Sequence, residues 1–319
     1  MNREDWQGRV DALDGEEGRR WHQAVQPLEG AARAGVTLLG FSSDEGVTRN
    51  QGRAGASEGP RALRRALSPL AFHSARGTPL YDAGDIGCHD HDLEGAQRAL
   101  GARVEALLGQ RHFPMLLGGG HEIAWGSFQG VSAALARDGR LPHFGIVNFD
   151  AHFDLRRGPA TSGTPFLQIR EALVARGLPF RYLCLGISRA SNTAALFRTA
   201  QACGARWLLD EELVWPQWDA ACRVIDEFVD SLEAVQLTFC LDAFPAASAP
   251  GVSAPAARGL APDLALSLMR YLLERAGHGT QGSKVVLAEV AELAPRHDPD
   301  GRTARLAARL VHDIVTPLL

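Results

Sequence analysis

Brief apolar runs alternate with longer stretches of helical spacing along most of this chain, and that alternation restricts it to an α/β architecture. Gly35 to Phe41, Phe113 to Leu117, Phe144 to Phe149, Arg181 to Ile187, Val235 to Leu241 and Lys284 to Val290 are short and rich in Val, Ile, Leu and Phe. That is the pattern of strands buried on both faces. Between them, Leu93, Ala96, Leu100, Val104 and Leu107 recur at helical spacing, as do Leu264, Leu268, Tyr271 and Leu272. Further helices are expected over Ile123 to Arg137, Pro165 to Arg176, Gln217 to Leu232 and Arg302 to Ile314. Such a sequence of elements predicts a mostly parallel sheet covered by helices on both faces, a three-layer α/β/α arrangement. Residues 1–30 carry no strand pattern and are expected to form a helical arm packed on a single domain over 31–319. The Ala-, Pro- and Gly-rich stretch from Pro245 to Gly259 has the composition of a linker. Because it follows directly on a strand, it equally suits a structured active-site loop.

Composition narrows the partners. The chain has 319 residues, with 33 basic and 37 acidic side chains and a formal net charge of -4. No basic stretch is dense enough for a nucleic-acid or anionic-membrane partner, and no apolar run has the length of a membrane span. Met1-Asn2-Arg3-Glu4-Asp5 does not open a secretory signal. Five cysteines, Cys88, Cys184, Cys203, Cys222 and Cys240, show no paired metal-finger spacing. Free thiols in a reducing cytoplasm fit that pattern, with a small molecule as the substrate.

Ligands of parallel α/β sheets bind beyond the carboxyl ends of the strands. At those ends stand Gly118-Gly119-Gly120-His121-Glu122, Asp150-Ala151-His152-Phe153-Asp154, Cys240 with Asp242, and Glu292. Four strands therefore aim His, Asp and Glu at one edge of the sheet. In an extended backbone Asp150, His152 and Asp154 share a face, so two carboxylates and an imidazole converge with no Lys or Arg between them. A cation is the economical way to neutralise them, and this oxygen-rich set suits a hard or borderline divalent ion such as manganese. A solvated polar turn is the plainer alternative. His121 after its glycine run could be an ordinary loop residue; the three glycines offer close backbone approach and positive φ. Glu122 suits a role in capping a helix or supporting the ligands.

The order and spacing of these segments resemble the ureohydrolase superfamily of arginases, agmatinases and formimidoylglutamases, from about Gly35 onward. The details are similar to the formimidoylglutamase branch. These are Gly120 where arginases carry Asp, Asn148 to Arg156, Ser162-Gly163-Thr164-Pro165-Phe166, Asp44-Glu45-Gly46-Val47 with Arg49-Asn50-Gln51-Gly52-Arg53, and Ala291-Glu292-Leu293. Phe166 stands where arginases carry a histidine. The resemblance implies an arginase-like fold and a pair of manganese ions held by His121, Asp150, His152, Asp154 and Asp242, with Asp150 bridging. Cys240 takes the place of a second bridging Asp. A thiolate there would either bridge the pair and favour a softer ion, or remain an inert buried thiol that leaves one ion weakly held.

What the branch implies for chemistry is attack of a metal-bound hydroxide on the amidine carbon of N-formimidoyl-L-glutamate, giving glutamate and formamide in histidine breakdown. Asp154 then matches the acid/base position and Glu292 the partner of the cationic amidinium. Asn50, Arg53, Ser162, Thr164 and Arg189 lie in loops suited to holding the glutamate carboxylates, although either arginine could be a surface ion pair. Family members usually form homo-oligomers. Two other readings remain: a hydrolase of a guanidino compound, and a metal-poor, non-catalytic relative motivated by Cys240.

Overall fold

The computed structural model describes residues 1–30, 32–277 and 283–319, so the expected domain boundary at residue 31 lies outside the described residues. The strands are β1 (Gln26–Pro27), β2 (Val36–Ser42), β3 (Leu80–Gly87), β4 (Phe113–Leu117), β5 (Phe144–Phe149), β6 (Tyr182–Ile187), β7 (Arg206–Leu209), β8 (Ala234–Cys240) and β9 (Val285–Ala291). They form one sheet in the order β1-β3-β2-β4-β9-β8-β5-β6-β7. Every pairing between these strands is parallel.

The helices are α1 (Trp21–Ala24), α2 (Glu45–Arg49), α3 (Gly59–Leu67), α4 (Leu93–Gly109), α5 (Ile123–Arg137), α6 (Pro165–Val174), α7 (Ala194–Ala202), α8 (Trp218–Asp230), α9 (Pro262–Ala276) and α10 (Arg302–Val315). Alternation along each strand divides the core between two faces. Val147 and Phe149 of β5 pack with apolar residues of α3, α8, α9 and α10, whereas Phe144 and Ile146 pack with α4, α5, α6 and α7. Apolar side chains on both faces of a parallel sheet are what the uninterrupted strand runs required.

Three strands lack the expected apolar pattern. β3 reads Leu-Tyr-Asp-Ala-Gly-Asp-Ile-Gly, because Asp82, buried, and Asp85, exposed, both pair with the buried Arg64. β7 is a four-residue edge strand that includes Arg206 and Trp207. β1, two residues long, lies in the segment expected to hold only helix and pairs with β3. Residues 1–30 thus contribute an edge of the sheet, which corrects the reading of that segment as lacking strands.

The same segment is tied down through Asp82. This buried carboxylate accepts from Arg64 Nε (3.0 Å) and Nη2 (3.0 Å) and from Trp6 Nε1 (2.8 Å). Trp6 and Arg64 are themselves buried. Trp6→Phe keeps most of the apolar contact and removes one donor to a buried charge. It is expected to cost about 2 kcal/mol, read as a lower urea midpoint at unchanged m-value. An unmoved midpoint would mean that this bond contributes nothing to docking.

Candidate metal centre

β4, β9, β8 and β5 are neighbours in the sheet, so the loops after their carboxyl ends meet in one place. The glycine run after β4 makes the approach close enough. Gly118 N donates to Val290 O (2.7 Å), Glu292 N to Gly119 O (2.8 Å) and Gly120 N to Ser43 O (2.9 Å). A Cβ at Gly119 would collide with the Ser43 carbonyl oxygen. None of the three glycines has positive φ, contrary to expectation; the left-handed residues at the centre are Asp154 (φ 49) and Glu292 (φ 74). Such conformations are costly away from glycine and concentrate at functional sites.

The segment Asp150 to Asp154 is a bend rather than the expected extended strand. His152 N donates to Asp150 Oδ1 (2.7 Å), closing a local turn. Ala151 and Phe153 are buried away from the pocket, and Asn192 holds the bend by accepting from Phe153 N (3.1 Å) and donating to Ala151 O (2.8 Å). Asp150, His152 and Asp154 still converge. His121 Nδ1 lies 2.9 Å from Asp150 Oδ2 and 3.0 Å from Asp154 Oδ2. His152 Nδ1 lies 3.0 Å from Asp242 Oδ2 and 3.5 Å from Asp150 Oδ1.

Two sets of donor atoms lie within 4.8 Å of one another: His121, Asp150 and Cys240, and Asp150, His152 and Asp242. Asp150 belongs to both. Asp154 approaches His121 but stands outside both sets. His121 Nδ1 and Asp242 Oδ1 are buried and lack a hydrogen bond, although the imidazole nitrogen sits within reach of two carboxylates. Close contact without hydrogen-bond geometry is what lone pairs aimed at a shared cation produce, and nitrogen, carboxylate and thiol are all metal donors. The residues therefore fit a pair of divalent ions.

Neighbouring groups orient the donors. His121 Nε2 meets Thr238 Oγ1 at 2.9 Å, and Phe166 packs edge-on against its ring with centroids 5.2 Å apart. Asn148 Nδ2 donates to Asp150 Oδ2 (3.0 Å) and lies 2.8 Å from the Tyr182 hydroxyl. Burial pushes Asp154 up to about 6, with the Asp150 charge adding to it. Burial likewise pushes Glu292 up to about 8, reinforced by Glu122 and Asp242. Burial also opposes ionisation of Asp150, but the adjacent His121 and His152 imidazoles outweigh it and hold this carboxyl well below its usual range. Burial and the nearby carboxylates raise the Cys240 thiol well above its ordinary value. Added positive charge would relieve all these strains together.

Above the donors opens a cavity of about 290 Å³, lined on its floor by His121, His152, Asp154, Cys240, Asp242 and Glu292. Asn50, Arg53 and Ser162 reach its wall as expected, with Asn50 Nδ2 donating to Ser162 Oγ (3.3 Å). Arg53 spends its guanidinium on the carbonyls of Pro250 (3.3 Å), Ser253 (3.1 Å) and Val252. It thereby fixes the Pro245 to Gly259 stretch as a pocket loop whose Ser253 and Ala254 line the cavity. Thr164 is not brought there. Its hydroxyl accepts from Thr161 N (2.9 Å) in the turn before α6. Arg189 is not brought there either, being an exposed partner of Glu211 at 2.6 Å. Arg156, two residues past Asp154, does line the cavity, and its exposed guanidinium has no ion-pair partner among the described residues. Only its place in the Asp-Leu-Arg run could have marked it.

A family model described as the arginase family matches residues 34–316. The chain is 47% identical to the formimidoylglutamase of Aeromonas salmonicida, covering 97% of this chain and 96% of that protein. It is 48% identical to that of Chromobacterium violaceum, covering 96% and 95%. Among solved structures, Trypanosoma cruzi formiminoglutamase with Mn2+2 is 27% identical, with a TM-score of 0.76 over 89% of this chain and 94% of that one. Formimidoylglutamase from Bacillus subtilis shares the fold, with a TM-score of 0.80 at 23% identity over 94% and 92%.

Proposed function

The chain belongs to the arginase family, and from that membership we propose that it hydrolyses N-formimidoyl-L-glutamate to L-glutamate and formamide. The observation that carries the reading is Asp150, common to two donor sets at the floor of one cavity. Relatives named formimidoylglutamase over nearly the whole chain support this branch over the guanidino hydrolases.

His121, Asp150 and Cys240, with Asp154 alongside, would hold one cation, and Asp150, His152 and Asp242 the other. A pair of divalent ions held there, manganese by likeness to the T. cruzi protein, would supply activation of water near neutral pH. Glu292 accepts from the amidinium through its free Oε2 and so orients the carbon to be attacked. Asp154 takes the proton from the attacking water and returns it to the departing glutamate nitrogen. At the mouth, Arg156 with Asn50 and Ser162 holds the glutamate carboxylates, and Arg53 acts on the substrate only through the loop it anchors. Free thiols favour a cytoplasmic setting, and family likeness favours a homo-oligomer, which sedimentation measures directly.

Assays of the metal-loaded protein on N-formimidoyl-L-glutamate, arginine, agmatine and guanidinobutyrate test the substrate. Urea release from a guanidino compound, with the amidine untouched, would overturn the assignment. Cys240 has its own signature. The cobalt-loaded protein is expected to show a thiolate-to-metal charge-transfer band that Cys240→Ser lacks, and Cys240→Asp is expected to raise manganese occupancy severalfold. Identical spectra and occupancies would make this thiol a bystander.

A further inference from the structure

Glu122 is fully buried, has no cation partner among the described residues, and does not line the cavity. Its side chain makes no cap to α5, which corrects the helix-capping reading. A buried carboxylate without a counter-ion is costly unless its hydrogen bonds hold something in place. Glu122 Oε1 accepts from Gly46 N (3.0 Å) and from Ser43 Oγ (3.2 Å). The Gly46 carbonyl in turn accepts from Asn50 N (3.0 Å) and Ser162 N (3.0 Å). Asn50 and Ser162 are the two wall residues joined by their own side-chain bond. Room for the carboxylate is built in: a Cβ on Gly46 would sit 2.5 Å from the Glu122 carboxyl carbon, and one on Gly120 would collide with Oε2. From α4, Gln97 Nε2 donates to the Glu122 carbonyl (2.9 Å), so the side chain starts from a fixed backbone.

We propose that Glu122 is a positioning residue for substrate recognition, its carboxylate holding Gly46 so that the loops bearing Asn50 and Ser162 meet at the pocket wall. The clamp joins the loops after β2, β4 and β5 at one backbone unit. It rests on the reading of this cavity as the amidine site, because only there does the wall matter to a substrate. Its requirement is geometric: an acceptor at Oε1, supplied equally by a carboxylate or an amide.

The test compares Glu122→Ala, Glu122→Gln and Gly46→Ala with the wild type, each metal-loaded and checked for fold by circular dichroism. Glu122→Ala and Gly46→Ala are expected to raise KM for N-formimidoyl-L-glutamate by about tenfold or more, with kcat within about threefold and bound metal unchanged, the pattern of lost uniform binding. The conservative Glu122→Gln should restore a KM near that of the wild type. Hydrogen exchange across residues 44–53 and 160–164 reads the clamp without turnover: faster in Glu122→Ala, unchanged in Glu122→Gln. A wild type inert on the amidine overturns the substrate assignment, while the exchange data still decide the clamp. Unaltered exchange in Glu122→Ala, a loss of metal with kcat rather than a rise in KM, or Glu122→Gln as impaired as Glu122→Ala would each overturn the clamp.

Discussion

Asp150→Asn is expected to lower turnover by roughly four orders of magnitude, about 5.5 kcal/mol of barrier, with little loss of folded protein. Among the described residues Asp150 alone belongs to both donor sets, so one substitution reaches both candidate cation sites. An asparagine fills the same volume but carries no charge and one acceptor oxygen in place of two. The amide nitrogen must then face either His121 Nδ1, now 2.9 Å from Oδ2, or His152 Nδ1, 3.5 Å from Oδ1. Either choice puts a donor where a cation needs a lone pair. Metal-free, the variant loses a carboxylate that the neighbouring imidazoles hold ionised and sets an amide NH2 against one of its two present donors, Asn148 Nδ2 or His152 N, so the melting temperature of the apo variant should fall by a few degrees without loss of the fold. Added manganese should stabilise only the wild type, because ligands stabilise the state that binds them. Atomic emission for bound metal, a melting series with manganese and single-substrate kinetics read the three parts. A variant that keeps two ions per chain would sink the bridging role outright.

How far the sequence disclosed this site depends on the range of the forces involved. His121, Asp150, Asp242 and Glu292 could be brought together on paper because each follows an apolar run, and parallel strands deliver their carboxyl ends to one edge. Strand β3 was hidden because Asp82 and Asp85 replace apolar residues to bind Arg64, and no local pattern announces a buried ion pair formed with another element. Arg189 and Arg156 illustrate the same limit from opposite sides. Both are loop arginines after strands; Glu211, beyond β7, captures the first, whereas no acidic residue among the described ones captures the second beside the cavity. Thr164 went astray through local competition, since a hydroxyl three residues from Thr161 is spent on its own turn. The extended conformation expected for Asp150 to Asp154 failed because the Asp150 side chain hydrogen-bonds its own backbone two residues on.

The floor of the cavity is acidic and its mouth carries Arg156, so a molecule with a cationic head and anionic tail has one favourable orientation. That polarity makes Glu292 the second residue whose loss should be severe. Its Oε1 accepts from His121 N (2.9 Å), while Oε2 is buried with no hydrogen-bond partner among the described residues. Glu292→Gln can preserve the first bond and must turn an NH2 group toward the amidinium. A charge-assisted acceptor becomes a donor facing a cation, in a place water does not reach. The expected loss in kcat/KM is roughly a thousandfold, about 4 kcal/mol, with both metals retained because Glu292 belongs to neither donor set. N-Formyl-L-glutamate, which carries a neutral carbonyl in place of the amidinium, separates charge recognition from damage to the pocket. It should inhibit wild type and Glu292→Gln with similar constants. If the variant loses affinity for both compounds alike, the substitution has deformed the cavity and the pairing of Glu292 with the cationic head is wrong. The left-handed backbone at this residue (φ 74) argues against such deformation, since it is imposed by the Gly119 bond and not by the side chain's charge.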